Sequence, residues 1–136
     1  MPELPEVETV KESLKLRLNN KKIIRTRVLW DNIIAYPSKE KFIKETANQS
    51  INDVKRRGKF LLFDLDDYYL LSHLRMEGKY FFKTKDDDIN KHEHVIFDLD
   101  DGSELRYMDT RKFGKMYLIK KEDIDKIGPL VELGLE

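Results

Sequence analysis

The 136-residue chain contains no cysteine. That excludes a disulfide framework and a thiolate metal site within it. No stretch approaches the roughly 20 consecutive apolar residues of a membrane span. The N-terminus is acidic and not basic-then-apolar, so it does not read as a secretory signal. There is no internal repeat and no low-complexity linker. Net charge is also missing, because 26 Lys and Arg balance 26 Asp and Glu. Overall charge therefore gives no pointer to nucleic acid, and any such site must arise from charges segregated on the surface. What remains is one cytoplasmic domain, long enough to bury a core. Its 38% of charged residues describe solvated faces.

The start is distinctive: Met1-Pro2-Glu3-Leu4-Pro5-Glu6-Val7-Glu8-Thr9. If Met1 is removed, Pro2 becomes a terminal secondary amine. An α-amino group has a pKa of roughly 7.7–8.0, against about 10.4 for lysine, so a useful fraction is unprotonated at neutral pH. Such an amine attacks an aldehyde carbon and leaves an iminium ion, an electron sink. Carboxylates beside it, here Glu3, Glu6 and Glu8, can move protons to and from the adduct. The commoner use of acids at this place is to complement a helix dipole.

The remaining pattern predicts an α+β, β-rich domain. Val7, Val10, Leu14 and Leu18 form a helical stripe behind Pro5, ending near Asn19-Asn20. Strands are expected over 22–30, 50–57, 60–65, 68–74, 79–84, 93–99, 103–108 and 114–120. Ser38 caps a short helix through Ala47 with Phe42 and Ile43 inward, beyond a loop near Pro37. Asp66-Asp67 and Asp101-Gly102 mark turns. A last short helix is expected over 122–127. The whole reads as a two-sheet β-sandwich or pseudo-barrel flanked by a few helices, including a long N-terminal one.

Four short stretches carry candidate chemistry. Arg56-Arg57-Gly58-Lys59 is a basic knot entering an apolar strand, either guarding a sheet edge or meeting phosphate. In Ser72-His73-Leu74-Arg75-Met76-Glu77-Gly78, Met76 falls at a loop tip, although a lone methionine is usually core filler. His73 reads as a phosphate contact or as a satisfied buried group. Lys91-His92-Glu93-His94 puts two histidines on one strand face, a weak zinc signal without cysteine. Asp109-Thr110-Arg111-Lys112-Phe113-Gly114 reads as a polar turn anchored by Phe113, or as a wedge entering a duplex.

The opening string and these blocks, in this order, resemble formamidopyrimidine-DNA glycosylase, over essentially residues 1 to 136. The resemblance implies excision of oxidised purines from damaged double-stranded DNA, followed by strand cleavage at the abasic site. It implies Pro2 as nucleophile, Glu3 as proton donor, Glu6 as a support for the N-terminus, and Lys59 as a proton donor in β-elimination. It implies DNA contacts from His73 and His92. It makes Met76 the filler of the space left by an extruded base, Arg111 the partner of the orphaned base, and Phe113 the intercalating wedge. The family acts in the bacterial cytoplasm, associated with the nucleoid, as a monomer without a membrane partner.

The family also carries a second half, with a helix–two-turn–helix element and a four-cysteine zinc finger. No such stretch follows here. Gly128-Pro129-Leu130-Val131-Glu132-Leu133-Gly134-Leu135-Glu136 reads as a domain edge, where Leu135 stands in place of the family's proline. The chain is thus expected to be the N-terminal catalytic domain, without a cofactor of its own, and structural zinc is expected in the absent half. Two alternatives stay open. One is a non-catalytic DNA-binding or interaction domain on the same scaffold. The other is an endonuclease VIII-like glycosylase for oxidised pyrimidines, which Leu4 disfavours because that branch has glycine there.

Overall fold

The computed structural model describes residues 4–75 and 77–124, with side chains from Val7 onward. Pro2, Glu3, Met76 and the 125–136 stretch lie outside these residues, as does the side chain of Glu6. Helix α1 runs Leu4–Leu18. It buries the expected stripe, Val7, Leu14 and Leu18, against the core, with Val10 packed at its margin. Asn20 ends it in a left-handed conformation, φ 64°, which asparagine tolerates better than most residues.

The strands are β1 (Ile23–Val28), β2 (Ile34–Tyr36), β3 (Asp53–Arg57), β4 (Phe60–Asp64), β5 (Tyr68–His73), β6 (Lys79–Thr84), β7 (Glu93–Leu99), β8 (Ser103–Met108) and β9 (Lys115–Lys120). They form a four-stranded sheet in the order β1-β7-β8-β6 and a five-stranded sheet in the order β2-β9-β5-β4-β3. The β-rich two-sheet architecture with a long N-terminal helix is therefore as the sequence implied. One continuous apolar cluster joins both sheets and α1, including Ile23, Phe63, Leu70, Phe97 and Leu105. In β4, alternate residues Phe60 and Leu62 turn to the other face of their sheet, where they meet Leu71 and Ile119. Both faces of this strand are buried, which explains its unbroken apolar run.

Helix α2 (Lys39–Thr46) starts as predicted, with the Lys41 N–H donating to Ser38 Oγ at 3.2 Å. Phe42 is fully buried, whereas Ile43 is only half-buried. The Thr46 hydroxyl lies 2.7 Å from Thr26 Oγ1 and fastens α2 to β1. Two expectations change. The stretch leading to Pro37 contains β2, which pairs parallel to β9; three residues are too few to show a period. The expected 122–127 helix is a 3-10 turn over Lys121–Asp123 in its described part.

A buried ion cluster holds the back of the four-stranded sheet. The Arg106 guanidinium donates to Glu104 and Glu93 at 2.9 Å, and to the carbonyls of Thr84, Asp87 and Asp88 at 2.9–3.0 Å. Burial opposes the charge on Glu93, but hydrogen bonds from Lys83 and Arg106 outweigh it and hold its carboxyl below the usual range.

Candidate nucleic-acid interface

Strand register determines where the candidate residues fall. Phe60 pairs with His73, and His73 pairs with Lys115. In the other sheet Met108 is opposite both Lys79 and Glu93. The ends of six strands therefore align at one end of the sandwich. Lys59 precedes β4, His73 closes β5, and His92 precedes β7. The two loops that cross between the sheets, 74–78 and 109–114, lie at the same end. The acidic turns Asp66-Asp67 and Asp100-Asp101 lie at the other. Lys59, Arg75, Lys79, Lys91, Arg111, Lys112 and Lys115 thus gather at one pole of a chain with no net charge. The acids near them include Glu93 and Asp109, both buried, and Glu77 and Glu8.

Lys59 sits in a two-residue turn between β3 and β4, since Arg57 pairs with Phe60. Gly58 takes φ 61° at the first turn position, the conformation of a type II′ hairpin that favours glycine. Lys59 is exposed at this tip and makes no ion pair with another described residue. Arg56 turns back along the hairpin. It donates to Gly58 O at 3.0 Å and to Glu8 of α1 at 2.8 Å.

His73 is buried against Phe60, ring edge to ring face at 4.4 Å between centroids. Burial, with the nearby charges of Arg75 and Lys59, pushes its pKa down to about 4. The ring is neutral at physiological pH. Its Nδ1 accepts the Arg75 N–H at 3.1 Å, so the proton belongs on Nε2. That leaves a fixed neutral donor, suited to a phosphate oxygen. Arg75 itself is held left-handed, φ 58°, a strained conformation of the kind found at functional loops.

The loop with Arg111 and Phe113 is built around a residue the sequence reading quoted but gave no role. Asp109 is fully buried. Its Oδ1 accepts the N–H groups of Arg111 and Lys112 at 3.1 Å, and its Oδ2 accepts Gly114 N–H at 2.8 Å and the Tyr107 hydroxyl at 3.1 Å. This Asx-type turn throws Arg111 and Phe113 outward. Phe113 is 52% exposed, an unusual position for phenylalanine.

Trp30, which the sequence places only at a strand end, packs against His94, the second histidine of the weak zinc signal. Their rings lie 5.5 Å apart. His94 is buried with Nε2 2.7 Å from Asp109 O. Lys112 Nζ and Lys115 Nζ lie 5.2 and 5.8 Å from the Trp30 ring centre, within cation–π range. His92 is half-buried. Its backbone accepts Asp109 N–H at 2.9 Å, which places it beside the same loop. His94 is thus engaged with protein, and Glu93 with Arg106. No group of three metal-ligating side chains occurs among the described residues, and no helix among them is long and apolar enough to cross a membrane.

Residues 1–116 match the formamidopyrimidine-DNA glycosylase N-terminal domain. The chain belongs to this glycosylase family. The formamidopyrimidine-DNA glycosylases of Shouchella clausii and Bacillus subtilis are 51% and 48% identical to it, across all of this chain and 50% of theirs. The chain therefore spans about half the length of the curated relatives it matches. Among solved structures, the Lactococcus lactis Fpg in complex with FAPY-dG-containing DNA superposes with a TM-score of 0.85 at 40% identity. It covers 90% of this chain and 46% of that one. The Lactococcus lactis Fpg bound to DNA with an abasic site matches equally well. The glycosylase-family likeness thus extends over both sheets.

Proposed function

We propose that this chain is the N-terminal catalytic part of a bifunctional DNA glycosylase and abasic-site lyase acting on oxidised purines in duplex DNA. The observation that carries this reading is the alignment of six strand ends at one basic pole. It brings Lys59, His73, His92, Arg111 and Phe113 to one face, as a duplex with a single extruded nucleotide requires. The Lactococcus lactis relatives, solved on damaged DNA, support the same assignment.

In this mechanism Phe113 enters the base stack, Arg111 pairs with the orphaned base, and Met76 fills the gap. Unstacking costs a few kcal/mol, which the wedge contacts offset. His73 and His92 hold the DNA backbone. The Pro2 nitrogen attacks C1′ of the deoxyribose, and the C1′–base bond breaks with a proton from Glu3. The ring opens to an iminium ion, which acidifies the C2′ proton. Loss of that proton breaks the C3′–O bond, assisted by Lys59 as proton donor. Glu6 supports the terminus by accepting hydrogen bonds. This chemistry calls on no cofactor in the chain. The family's zinc belongs to its other half.

The test is borohydride trapping. The chain is incubated with a duplex containing an abasic site and sodium borohydride, and the product is weighed intact. A covalent adduct on a Met1-less chain, mapped to Pro2, is the expected result. No adduct on a chain with a free Pro2 amine would overturn autonomous lyase activity and favour the non-catalytic DNA-binding alternative. A panel of lesion duplexes, with oxidised purines cut in preference to oxidised pyrimidines, tests the substrate class.

A further inference from the structure

The two loops that cross between the sheets at the basic pole close on a single atom. A Cβ placed on Gly78 would come 2.5 Å from the Tyr107 hydroxyl oxygen and 2.5 Å from Leu74 O. A Cβ on Gly114 would fall on that same hydroxyl and lie 3.0 Å from Asp109 Oδ2. Both positions must be glycine for the same reason: the backbone of each loop lies directly against Tyr107. Tyr107 is fully buried at the end of β8.

From this atom, contacts run into both loops. On one side the hydroxyl donates to Asp109, whose carboxylate gathers the amides of Arg111, Lys112 and Gly114. On the other, the Gly78 N–H donates to Leu74 O at 2.9 Å and closes the 74–78 loop over the ring. The Tyr80 ring stands edge-on to Tyr107 at 5.2 Å, and its hydroxyl donates to Ser72 Oγ at 2.6 Å, next to His73. Protein interiors are close-packed, so a loop cannot shift against the hydroxyl without the other loop losing or gaining a contact.

We propose that Tyr107 is a positioning residue that makes the two loops engage DNA as one unit, so that Met76 from one and Phe113 from the other act cooperatively. This rests on the DNA-interface reading above. Tyr107 acts through the backbones at Gly78 and Gly114, which lie against its hydroxyl, and not by touching DNA itself.

A thermodynamic cycle separates this role from simple structural support. Affinity for a duplex carrying a stable abasic-site analogue is measured by fluorescence anisotropy for the parent chain, Met76→Ala, Phe113→Ala and the double variant. The set is repeated in a Tyr107→Phe background, which keeps the ring and removes the hydroxyl. With Tyr107 intact, the double variant should bind about fivefold better than the product of the two single losses, the scale of coupling seen between groups acting through shared contacts. In Tyr107→Phe that discrepancy should fall below about twofold, with each single loss smaller by about the fivefold coupling factor and still measurable. Equal coupling in both backgrounds, or additivity in the parent, would overturn the inference alone. Single variants that bind as tightly as the parent would overturn the interface reading and the inference with it. If Tyr107→Phe does not fold, Asp109→Asn is judged by the same criteria, since it weakens the acceptor that links the hydroxyl to the wedge loop.

Discussion

Glu8 Oε1 accepts a hydrogen bond from Arg56 Nε at 2.8 Å and so ties the first helix to the hairpin that presents Lys59. The helix also carries the acidic start of the chain. The pair spans 48 residues of sequence. Glu8 is shared with Lys11 at 2.6 Å, and hydrogen bonds from Lys11 and Arg56 hold its carboxyl below the usual range. The pair is exposed, so its effect should be on placement, not stability. Glu8→Gln and Arg56→Gln should each slow borohydride trapping by about fivefold, the scale of a small misplacement of reacting groups. The double variant should be no slower than either. Melting temperatures should move by less than about 3 °C. Additive losses would show that the two residues act separately.

The buried neutral His73 gives stability a pH dependence. Its pKa is about 4 in the folded chain, against the 6.5 of an ordinary histidine. The unfolded chain therefore binds a proton between these values and the folded chain does not. Stability from this group is full above pH 6.5, declines as pH falls toward 4, and levels off below. At about 1.4 kcal/mol per pH unit the upper bound is about 3.5 kcal/mol. Urea unfolding at a series of pH values should show this decline, and His73→Gln should remove it. A pH slope unchanged by His73→Gln would locate the titration elsewhere.

The Arg106 cluster should behave as a buried ion network. Arg106→Met leaves Glu93 and Glu104 without their guanidinium, and such removals cost about 3–5 kcal/mol. Chemical denaturation should show a loss of that size, and salt should change it little because the charges are screened from solvent. A loss below about 1 kcal/mol would mean that water or Lys83 replaces the guanidinium.

Trp30 is the chain's single tryptophan, and it lies beneath Lys112 of the 109–114 loop and Lys115 at the start of β9. Binding of a duplex with an abasic-site analogue should draw these ammonium groups toward phosphate and change Trp30 emission. Arg111→Glu should weaken this response by about tenfold in affinity, the scale of losing a contact to DNA and adding repulsion. Binding seen by anisotropy with no change in emission would separate Trp30 from the loop.

Much of the fold is legible in the chain because its strands are short runs of apolar and β-branched residues bounded by the turns Asp-Gly, Asp-Asp and Gly-Lys. β2 escapes, being three residues long and parallel to a strand more than 80 residues away. The candidate blocks are legible because each lies contiguously at a strand end. Their convergence is not, since it depends on the Phe60–His73–Lys115 register. Asp109 offers a signal in hindsight: an aspartate five residues before a glycine, spanning a turn with three amides to satisfy. Trp30 offers none, and the paired histidines suggest a metal in place of the Trp30–His94 contact, which depends on how β1 lies beside β7.

The Arg106 clamp also bears on how the protein can vary. Its grip on the 84–88 segment is entirely through main-chain oxygens, those of Thr84, Asp87 and Asp88. Main-chain oxygens are common to every residue type. The segment's path is thus set by an arginine from a neighbouring strand, while the identities of Asp86 and Asp88 are left open to drift. A tag or a reporter dye attached there would ride on a backbone that Arg106 holds in place.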